Sequence, residues 1–102
     1  MSKKKGKTNP LPELPVQRIP IFDKGFREDV AWWFKADQAK ANKILDLVSN
    51  VMSNPFTGIG KPEPIKYLES DTWSRRIDLE RRLVYRVRHD RIDFLACRYH
   101  YE

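Results

Sequence analysis

The stretch that decides the fold runs from residue 72 to residue 101 and reads TWSRRIDLERRLVYRVRHDRIDFLACRYHY. Side chains alternate with a period of two over residues 73–79 and 82–88, which predicts two β-strands. Residues 92–99 are apolar on both sides as far as Arg98, which is typical of an interior strand covered on both faces. Glu80-Arg81 and His89-Asp90 stand where tight turns would join the strands, so we expect an antiparallel sheet.

Two predicted helices precede this sheet, and each has an apolar face at helical spacing. Asp23 and Asp37 are residues of a type that caps helices, and each stands before one apolar series. The first series is Phe26, Val30, Trp33 and Phe34, and the second is Ala41, Ile44, Leu45, Val48 and Met52. The second helix should end at Asn54-Pro55, because proline drives the preceding residue out of the helical region. The short interval between the helices predicts an antiparallel hairpin.

The remaining segments complete one domain of the α+β class. Residues 18–22 predict a short N-terminal strand, and residues 54–64, rich in glycine and proline, predict a shaped loop. Residues 1–17 combine a lysine cluster with three prolines, and we expect a flexible basic arm. This arm either tethers RNA nonspecifically or is a solvated tail. The predicted domain spans residues 18–102, with a strand, a helical hairpin and an antiparallel sheet whose helices pack on one face.

The composition favours a polyanionic partner. The chain has 102 residues, with 20 Lys and Arg against 14 Asp and Glu, and a net charge of +6. Basic side chains displace condensed counterions from phosphates, so RNA, DNA, the ribosome or an acidic protein is favoured. The lone Cys97 excludes an internal disulfide and suits a reducing cytoplasm. No stretch approaches the roughly 20 apolar residues that a membrane helix needs, so we expect a cytoplasmic protein without membrane contact.

Alternation along residues 82–88 separates an apolar series from a basic one. Leu83, Tyr85 and Val87 should pack on the helices. Arg82, Arg86 and Arg88 would then line the opposite, uncovered face of the sheet. That face is a natural place for a phosphodiester backbone, and it is equally the ordinary alternation of a half-exposed sheet. The pattern alone leaves both readings open.

The chain has no nucleotide-binding glycine loop and no paired Cys-x-x-Cys, and we expect no cofactor. Cys97 and His100 have the spacing of two metal ligands, but a structural zinc needs four and only His89 remains, so we expect no metal site. RNA carries its own nucleophile, the 2′-hydroxyl. Cleavage therefore needs a base, an acid and a cation for the extra phosphate charge, and a glutamate, a histidine and an arginine supply all three.

Four linked motifs resemble those of YoeB/Txe toxins in the RelE/ParE superfamily. Residues 54–66, NPFTGIGKPEPIK, resemble the family loop P-F-x-G-x-G-K-P-E-P-L-K. Residues 73–77, 82–85 and 96–101 match W-S-R-R-I, R-L-V-Y and A-C-R-Y-H-Y in order and spacing. The chain departs from the family at Arg81, where a histidine is common, and at Glu102, which follows the usual final tyrosine. Any role of that histidine is therefore not carried over.

The resemblance implies a RelE-like fold and a metal-independent endoribonuclease that cuts mRNA on the ribosome. It also implies a cognate antitoxin of the YefM/Axe kind, with promoter DNA reached only through that antitoxin. By position it makes Glu63 the general base, Arg82 the clamp on the phosphate and His100 the general acid. Tyr101 would orient the substrate or stack on it. The residues implied to hold the RNA backbone are Lys61, Lys66, Arg76 and Arg98.

Alternatives remain open for both the function and the site. The protein would instead occupy the ribosomal decoding site and block translation without cutting, or act mainly in a DNA-bound repressor complex with its antitoxin. Glu63 would instead pair only with Lys61 or Lys66, and Arg82 with Glu80. A homodimer is also an open alternative.

Overall fold

The computed structural model describes residues 17–100. Tyr101, Glu102 and nearly all of the predicted basic arm lie outside the described residues. The elements are β1 (Ile19–Phe22), α1 (Lys24–Ala36), α2 (Gln38–Ser53), β2 (Glu63–Pro64), β3 (Thr72–Arg76), β4 (Arg81–Val87) and β5 (Arg91–His100). The predicted order of a strand, two helices and a sheet is therefore confirmed.

The five strands form one sheet in the order β1-β5-β4-β3-β2. The pairs β2–β3, β3–β4 and β4–β5 are antiparallel, as the sequence predicted. β1 pairs with β5 in parallel, with Ile19 opposite Arg91 and Phe22 opposite Phe94. Parallel neighbours need a long crossover connection, and the two helices lie in the chain between β1 and the rest of the sheet. The sheet is thus mixed, with one parallel edge strand.

The helix boundaries follow local chemistry at Asp37 and Asn54. The Asp37 carboxylate accepts a hydrogen bond from the Lys40 amide at 3.2 Å, which caps α2. Asn54 follows the last residue of α2, as predicted. Asp23 directly precedes α1, as predicted. The predicted capping hydrogen bond is wrong, because the Asp23 carboxylate accepts no hydrogen bond from the helix. Neither helix within residues 17–100 is long and apolar enough to cross a membrane.

The core lies between the helices and one face of the sheet. Its buried members are Phe26, Trp33, Ala41, Ile44, Leu47, Val51, Ile77, Leu83, Tyr85, Val87, Ile92, Phe94 and Cys97. The predicted inward positions Phe34 and Leu45 are wrong, with exposures of 41% and 46%. The buried stripe of α2 runs from Ala41 to Val51 in steps of three and four residues, which places Leu47 inward and Leu45 on its flank. Leu79 is also exposed, because β3 ends at Arg76.

Helix α1 is fixed to strand β5 by hydrogen bonds at Cys97. The indole Nε1 of Trp33 donates to the Cys97 carbonyl at 2.7 Å, and the Cys97 amide donates to the Asp29 carboxylate at 3.0 Å. The Cys97 side chain is fully buried, and burial, reinforced by the nearby Asp29 charge, raises the pKa of its thiol to about 12. A buried thiol with a raised pKa is an inert core group rather than a reactive nucleophile.

Candidate active site

The candidate site lies on the sheet face that points away from the helices. Leu83 and Tyr85 belong to the core, so their neighbours on β4 project from the other side. Residues paired across strands share a face. One cross-strand row on this outer face holds Glu63, Ser74 and Val84, and the row nearest to it holds Arg76, Arg82 and Tyr99.

An ion pair between Glu63 and Arg82 forms the centre of the site. Arg82 Nη1 lies 3.0 Å from Glu63 Oε1. The arginine side chain is only 4% exposed, whereas the glutamate side chain is 48% exposed. The site therefore presents a carboxylate to solvent beside a cation that the sheet holds in place. Within residues 17–100, Glu63 forms its ion pair with Arg82 rather than with Lys61 or Lys66. Arg82 in turn pairs with Glu63 rather than with Glu80.

Arg75 positions the loop that leads to Glu63. Its side chain is fully buried, and all five guanidinium N–H groups donate hydrogen bonds to neutral acceptors. These acceptors are the Tyr85 hydroxyl, the Asn50 side-chain carbonyl and the backbone carbonyls of Asn54, Thr57 and Ile59. The loop is therefore bound to β3 and α2 before it enters β2. The sequence motifs assign no role to Arg75, although an arginine at an inward position of an alternating strand is the signal that marks it.

The two glycines of this loop allow its close approach to α2. Gly58 and Gly60 have φ angles of +129° and +80°, which favour glycine. A Cβ atom on Gly58 would lie 2.0 Å from Asn50 Oδ1, and one on Gly60 would lie 2.8 Å from Leu47 Cδ2. The Gly60 carbonyl accepts a hydrogen bond from the Arg76 amide at 2.7 Å, which brings the chain alongside β3. The glycine motif thus sets the path of the chain into Glu63.

A cleft of about 470 Å³ opens beside Glu63. It is lined by Pro62, Glu63, Pro64, Ile65, Lys66 and Tyr67. The Tyr67 hydroxyl hydrogen-bonds to the hydroxyl of Tyr99, which pairs with Arg82 across the strands. Tyr67 was not among the predicted site residues. An exposed aromatic next to a lysine is the signal that marks it, because such rings stack on nucleobases.

The other predicted residues occupy different positions. Arg76 lies opposite Arg82 on the outer face, and its Nε atom is buried without a hydrogen-bond partner in residues 17–100. Lys61 is exposed and lies two residues before Glu63. Arg98 lies on the helix side, with its guanidinium 3.8 Å from the ring centroid of Trp32, so it is separated from the ion pair. Tyr101 lies outside the described residues.

His100 is the last described residue and ends strand β5. It pairs with Arg81, while its neighbour Tyr99 pairs with Arg82. Successive side chains alternate across a sheet, so the Cβ of His100 leaves the sheet on the side of Arg81. Arg81 lies on the helix side, with its guanidinium 5.9 Å from the ring centroid of Trp32, so the Cβ of His100 points to the face opposite to Arg82. His100 adjoins the site through its neighbour Tyr99, which pairs with Arg82.

The outer sheet face is not purely basic, because carboxylates pair with Arg86 and Arg88. Glu69 comes within 3.3 Å of Arg86 and 3.0 Å of Arg88, and Asp93 Oδ2 lies 3.9 Å from Arg88. The loop between β2 and β3 brings the Glu69 carboxylate to the arginines of β4 and its end, which alternation along one strand does not predict. A hydrogen bond from Arg88, followed by the charges of Arg86 and Arg88, lowers the pKa of Glu69. Within residues 17–100, no group of three or more His, Cys, Asp or Glu side chains is placed to hold a metal ion.

Comparison with known proteins places this fold in a class of small bacterial α+β toxins. The model of the family described as YoeB-like toxin of bacterial type II toxin-antitoxin system matches residues 22–101. The chain belongs to this YoeB-like toxin family, and it is thus a toxin of a type II toxin–antitoxin system. The resemblance found in the four motifs is confirmed.

Relatives support the family at the level of sequence and of structure. Toxin RelK of Mycobacterium tuberculosis is 48% identical over 80 residues, which are 78% of this chain and 94% of RelK. The YoeB dimer from Staphylococcus aureus is similar with a TM-score of 0.76 and 35% identity, covering 83% of this chain and 99% of that one. The heterotetrameric YoeB-YefM toxin-antitoxin complex from the same organism gives a TM-score of 0.71 at 35% identity, with the same two coverages. The predicted RelE-like α+β fold is confirmed.

Proposed function

We propose that this toxin is a metal-independent endoribonuclease that cuts mRNA in translating ribosomes and so inhibits translation. The observation that carries the proposal is the pair of Glu63 and Arg82, with Oε1 and Nη1 3.0 Å apart. A half-exposed carboxylate can accept a proton from a substrate hydroxyl, and a fixed guanidinium beside it can bind a phosphate. These are two of the three groups that RNA cleavage by its own 2′-hydroxyl requires.

The reaction follows from these two groups and a general acid. Glu63 removes the proton of the 2′-hydroxyl, and the 2′-oxygen attacks the adjacent phosphorus. Arg82 stabilises the extra negative charge on the phosphate oxygens in the transition state. The bond from phosphorus to the 5′-oxygen breaks, and His100 donates a proton to that oxygen. The products are a 2′,3′-cyclic phosphate and a 5′-hydroxyl, so atoms and protons balance.

Basic and aromatic residues around the cleft would hold the RNA strand. Lys66 lines the cleft with Glu63, Lys61 lies on the loop just before it, and Arg76 lies opposite Arg82. Arg98, stacked on Trp32 at the helix side, would contact the backbone farther from the reacting phosphate. Tyr101 would orient the nucleotide or stack on it, as the family motif implies.

The test is induction of the toxin in cells that lack its antitoxin, with mRNA ends mapped by primer extension. The wild type should produce new ends within translated codons, and Glu63→Gln and His100→Ala should not. Glu80→Gln, which changes an exposed carboxylate in the turn between β3 and β4, is the matched control and should cut like the wild type. Arrested translation without new ends in any strain would instead establish a ribosome blocker and remove the catalytic assignments.

We also infer that an antitoxin of the YefM/Axe kind neutralises this toxin, and that promoter DNA is bound only through it. The solved YoeB-YefM complex supports this partner, and the solved YoeB dimer supports a homodimer. An acidic antitoxin segment would cover Arg82 and the end of β5, since their charges are complementary. RNA and antitoxin should therefore compete, and simultaneous binding without interference would contradict this mode.

A further inference from the structure

The carboxylate of Glu69 bridges two arginines in the way that a phosphate would. Its Oε1 atom lies 3.3 Å from Arg86 Nη2, and its Oε2 atom lies 3.0 Å from Arg88 Nη2. Arg86 projects from the face that carries Arg82, because the two residues are an even number of positions apart on β4. Arg88 follows the end of β4 and contacts the same carboxylate. One oxyanion held between two guanidinium groups is the arrangement by which arginines recognise phosphodiesters.

We propose that Arg86 and Arg88 form a second phosphate-binding site for the RNA strand, which Glu69 occupies in the RNA-free protein and which a backbone phosphate takes over. The inference rests on the proposed function, because it assumes an RNA substrate. It adds a binding site outside the residues that the family motifs mark, and it gives Glu69 the role of an internal competitor.

The two arginines remain in place when Glu69 leaves. Arg86 Nε donates a hydrogen bond to Thr72 Oγ1 at 3.3 Å, and Thr72 is buried. Arg88 Nε makes no hydrogen bond within residues 17–100, and its ion-pair contact with Asp93 Oδ2 is long, at 3.9 Å. Arg86 therefore has a hydrogen-bonding anchor besides Glu69, and Arg88 has a nearby carboxylate that is only 12% exposed.

Glu69 itself is easily displaced. It belongs to the loop between β2 and β3, and its side chain is 55% exposed. Exposed ion pairs contribute little to stability, so exchanging the carboxylate for a phosphate has a small cost. The exchange also releases condensed counterions from the RNA, which favours the bound state at low salt.

The position of this site fits a strand that leaves the cleavage site. Arg82 and Arg86 are four residues apart on β4, which is about 13 Å along an extended strand. An RNA strand whose reacting phosphate lies at Arg82 can thus run along β4 and place a phosphate farther along its backbone at Arg86 and Arg88. An acidic peptide could also meet two arginines, but the continuity with the Glu63 and Arg82 pair favours RNA.

The experiment measures binding of a 2′-O-methyl oligouridylate to the full-length protein by fluorescence anisotropy. This probe lacks the 2′-hydroxyl nucleophile, so binding is measured without cleavage. Glu69→Gln should tighten binding roughly threefold to tenfold, because the competing charge is lost. Glu28→Gln makes the same charge change on α1 and should have a much smaller effect, because the partner of Glu28 within residues 17–100 is the exposed Lys24.

A double-mutant cycle connects the effect to the arginines. Arg86→Gln should weaken binding and reduce the slope of log affinity against log salt by about 0.7, as expected for one lost phosphate contact. In the Arg86→Gln, Arg88→Gln background, Glu69→Gln should no longer tighten binding. Equal effects of Glu69→Gln and Glu28→Gln, or persistence of the Glu69→Gln effect in that background, would overturn the proposal. An equal gain in affinity for an oligoglutamate peptide would overturn its assignment to RNA.

Failure of this inference is distinguishable from failure of the proposed function. Cleavage in cells with no change in oligouridylate affinity for Glu69→Gln would leave the nuclease standing and remove the second site. The predicted changes in affinity without any new mRNA ends would keep the second site and remove the nuclease.

Discussion

Arg75 Nη1 donates a hydrogen bond to Asn50 Oδ1 at 2.6 Å, and the same oxygen accepts the Ile59 amide at 3.1 Å. Strand β3, helix α2 and the glycine loop thus meet at a single side-chain carbonyl. The buried guanidinium has no carboxylate among its hydrogen-bond acceptors, so its charge is stabilised by oriented carbonyl and hydroxyl dipoles. The position of Glu63 depends on this contact, because the loop leads directly into β2.

Replacing Arg75 by lysine should destabilise the protein strongly. An ammonium group cannot reach five acceptors in a plane, so buried carbonyls lose their partners, and the free energy of unfolding should fall by about 3 kcal/mol or more. Urea denaturation measures this change. Arg76→Lys, on the neighbouring residue of β3 and the outer face, is the control and should cost less than about 1 kcal/mol. Equal losses for the two variants would contradict the structural role of Arg75.

Replacing Gly58 by alanine should be more damaging than replacing Gly25. The Cβ at residue 58 would meet Asn50 Oδ1 at 2.0 Å, on a backbone that alanine rarely adopts. We expect a loss of about 2 kcal/mol or more in the free energy of unfolding. Gly25 lies in α1, where a Cβ would approach the Leu95 carbonyl at 3.3 Å and alanine improves helix propensity. Thermal melts of both variants measure the difference in stability. Equal melting temperatures would contradict the requirement for glycine at residue 58.

The Cys97 thiol should resist alkylation in the folded protein. Its pKa rises from 9.0 to about 12 because the side chain is buried, so the folded protein holds a proton that the unfolded chain loses first. The resulting stability is fully present below pH 9 and is lost as the pH rises towards 12, by up to about 1.4 kcal/mol per pH unit. Iodoacetamide at pH 8 should modify the urea-unfolded chain and spare the native one. Cys97→Ala should lack this decrease in the free energy of unfolding at alkaline pH. An unchanged slope of the free energy of unfolding against pH would refute the assignment.

Replacing Glu63 by glutamine should separate chemistry from folding. The amide oxygen can still accept the Arg82 hydrogen bond, but it is not a base, so cleavage should fall by about 10² to 10⁴. The free energy of unfolding should change little, since the Glu63 side chain is 48% exposed. Ribosome-dependent cleavage of a defined mRNA and urea denaturation measure the two quantities. A variant that cuts at the wild-type rate would exclude Glu63 as the base.

Much of this protein was predictable because its signals are local. Asp37 caps α2 and Asn54-Pro55 ends it through contacts within a few residues, and alternation on β4 correctly directed Leu83 and Tyr85 inward. The hydrophobic pattern wrongly predicted that Leu45 faces inward, because Leu45 and Leu47 are equally hydrophobic. The packing of α2 on the sheet buries Leu47 and leaves Leu45 exposed.

The site was predictable only as a set of residue types. The motifs selected Glu63 and Arg82, and the fold brings them to 3.0 Å. The motifs did not indicate that Arg98 stacks on Trp32 at the helix side, or that Glu69 bridges Arg86 and Arg88. These contacts join residues that are distant in the chain, so they depend on strand register and loop path.

By itself the sequence determined the order of elements, the family and the residue types available for chemistry, since these follow from hydrophobic period, capping and motif spacing. Tertiary structure alone decided that β1 joins the sheet in parallel and that Arg75 is buried beneath the glycine loop. It also decided that Glu69 pairs with both Arg86 and Arg88. The physical reason is that burial and ion pairing are set by long-range packing, which places side chains from separate elements within a few ångströms of one another.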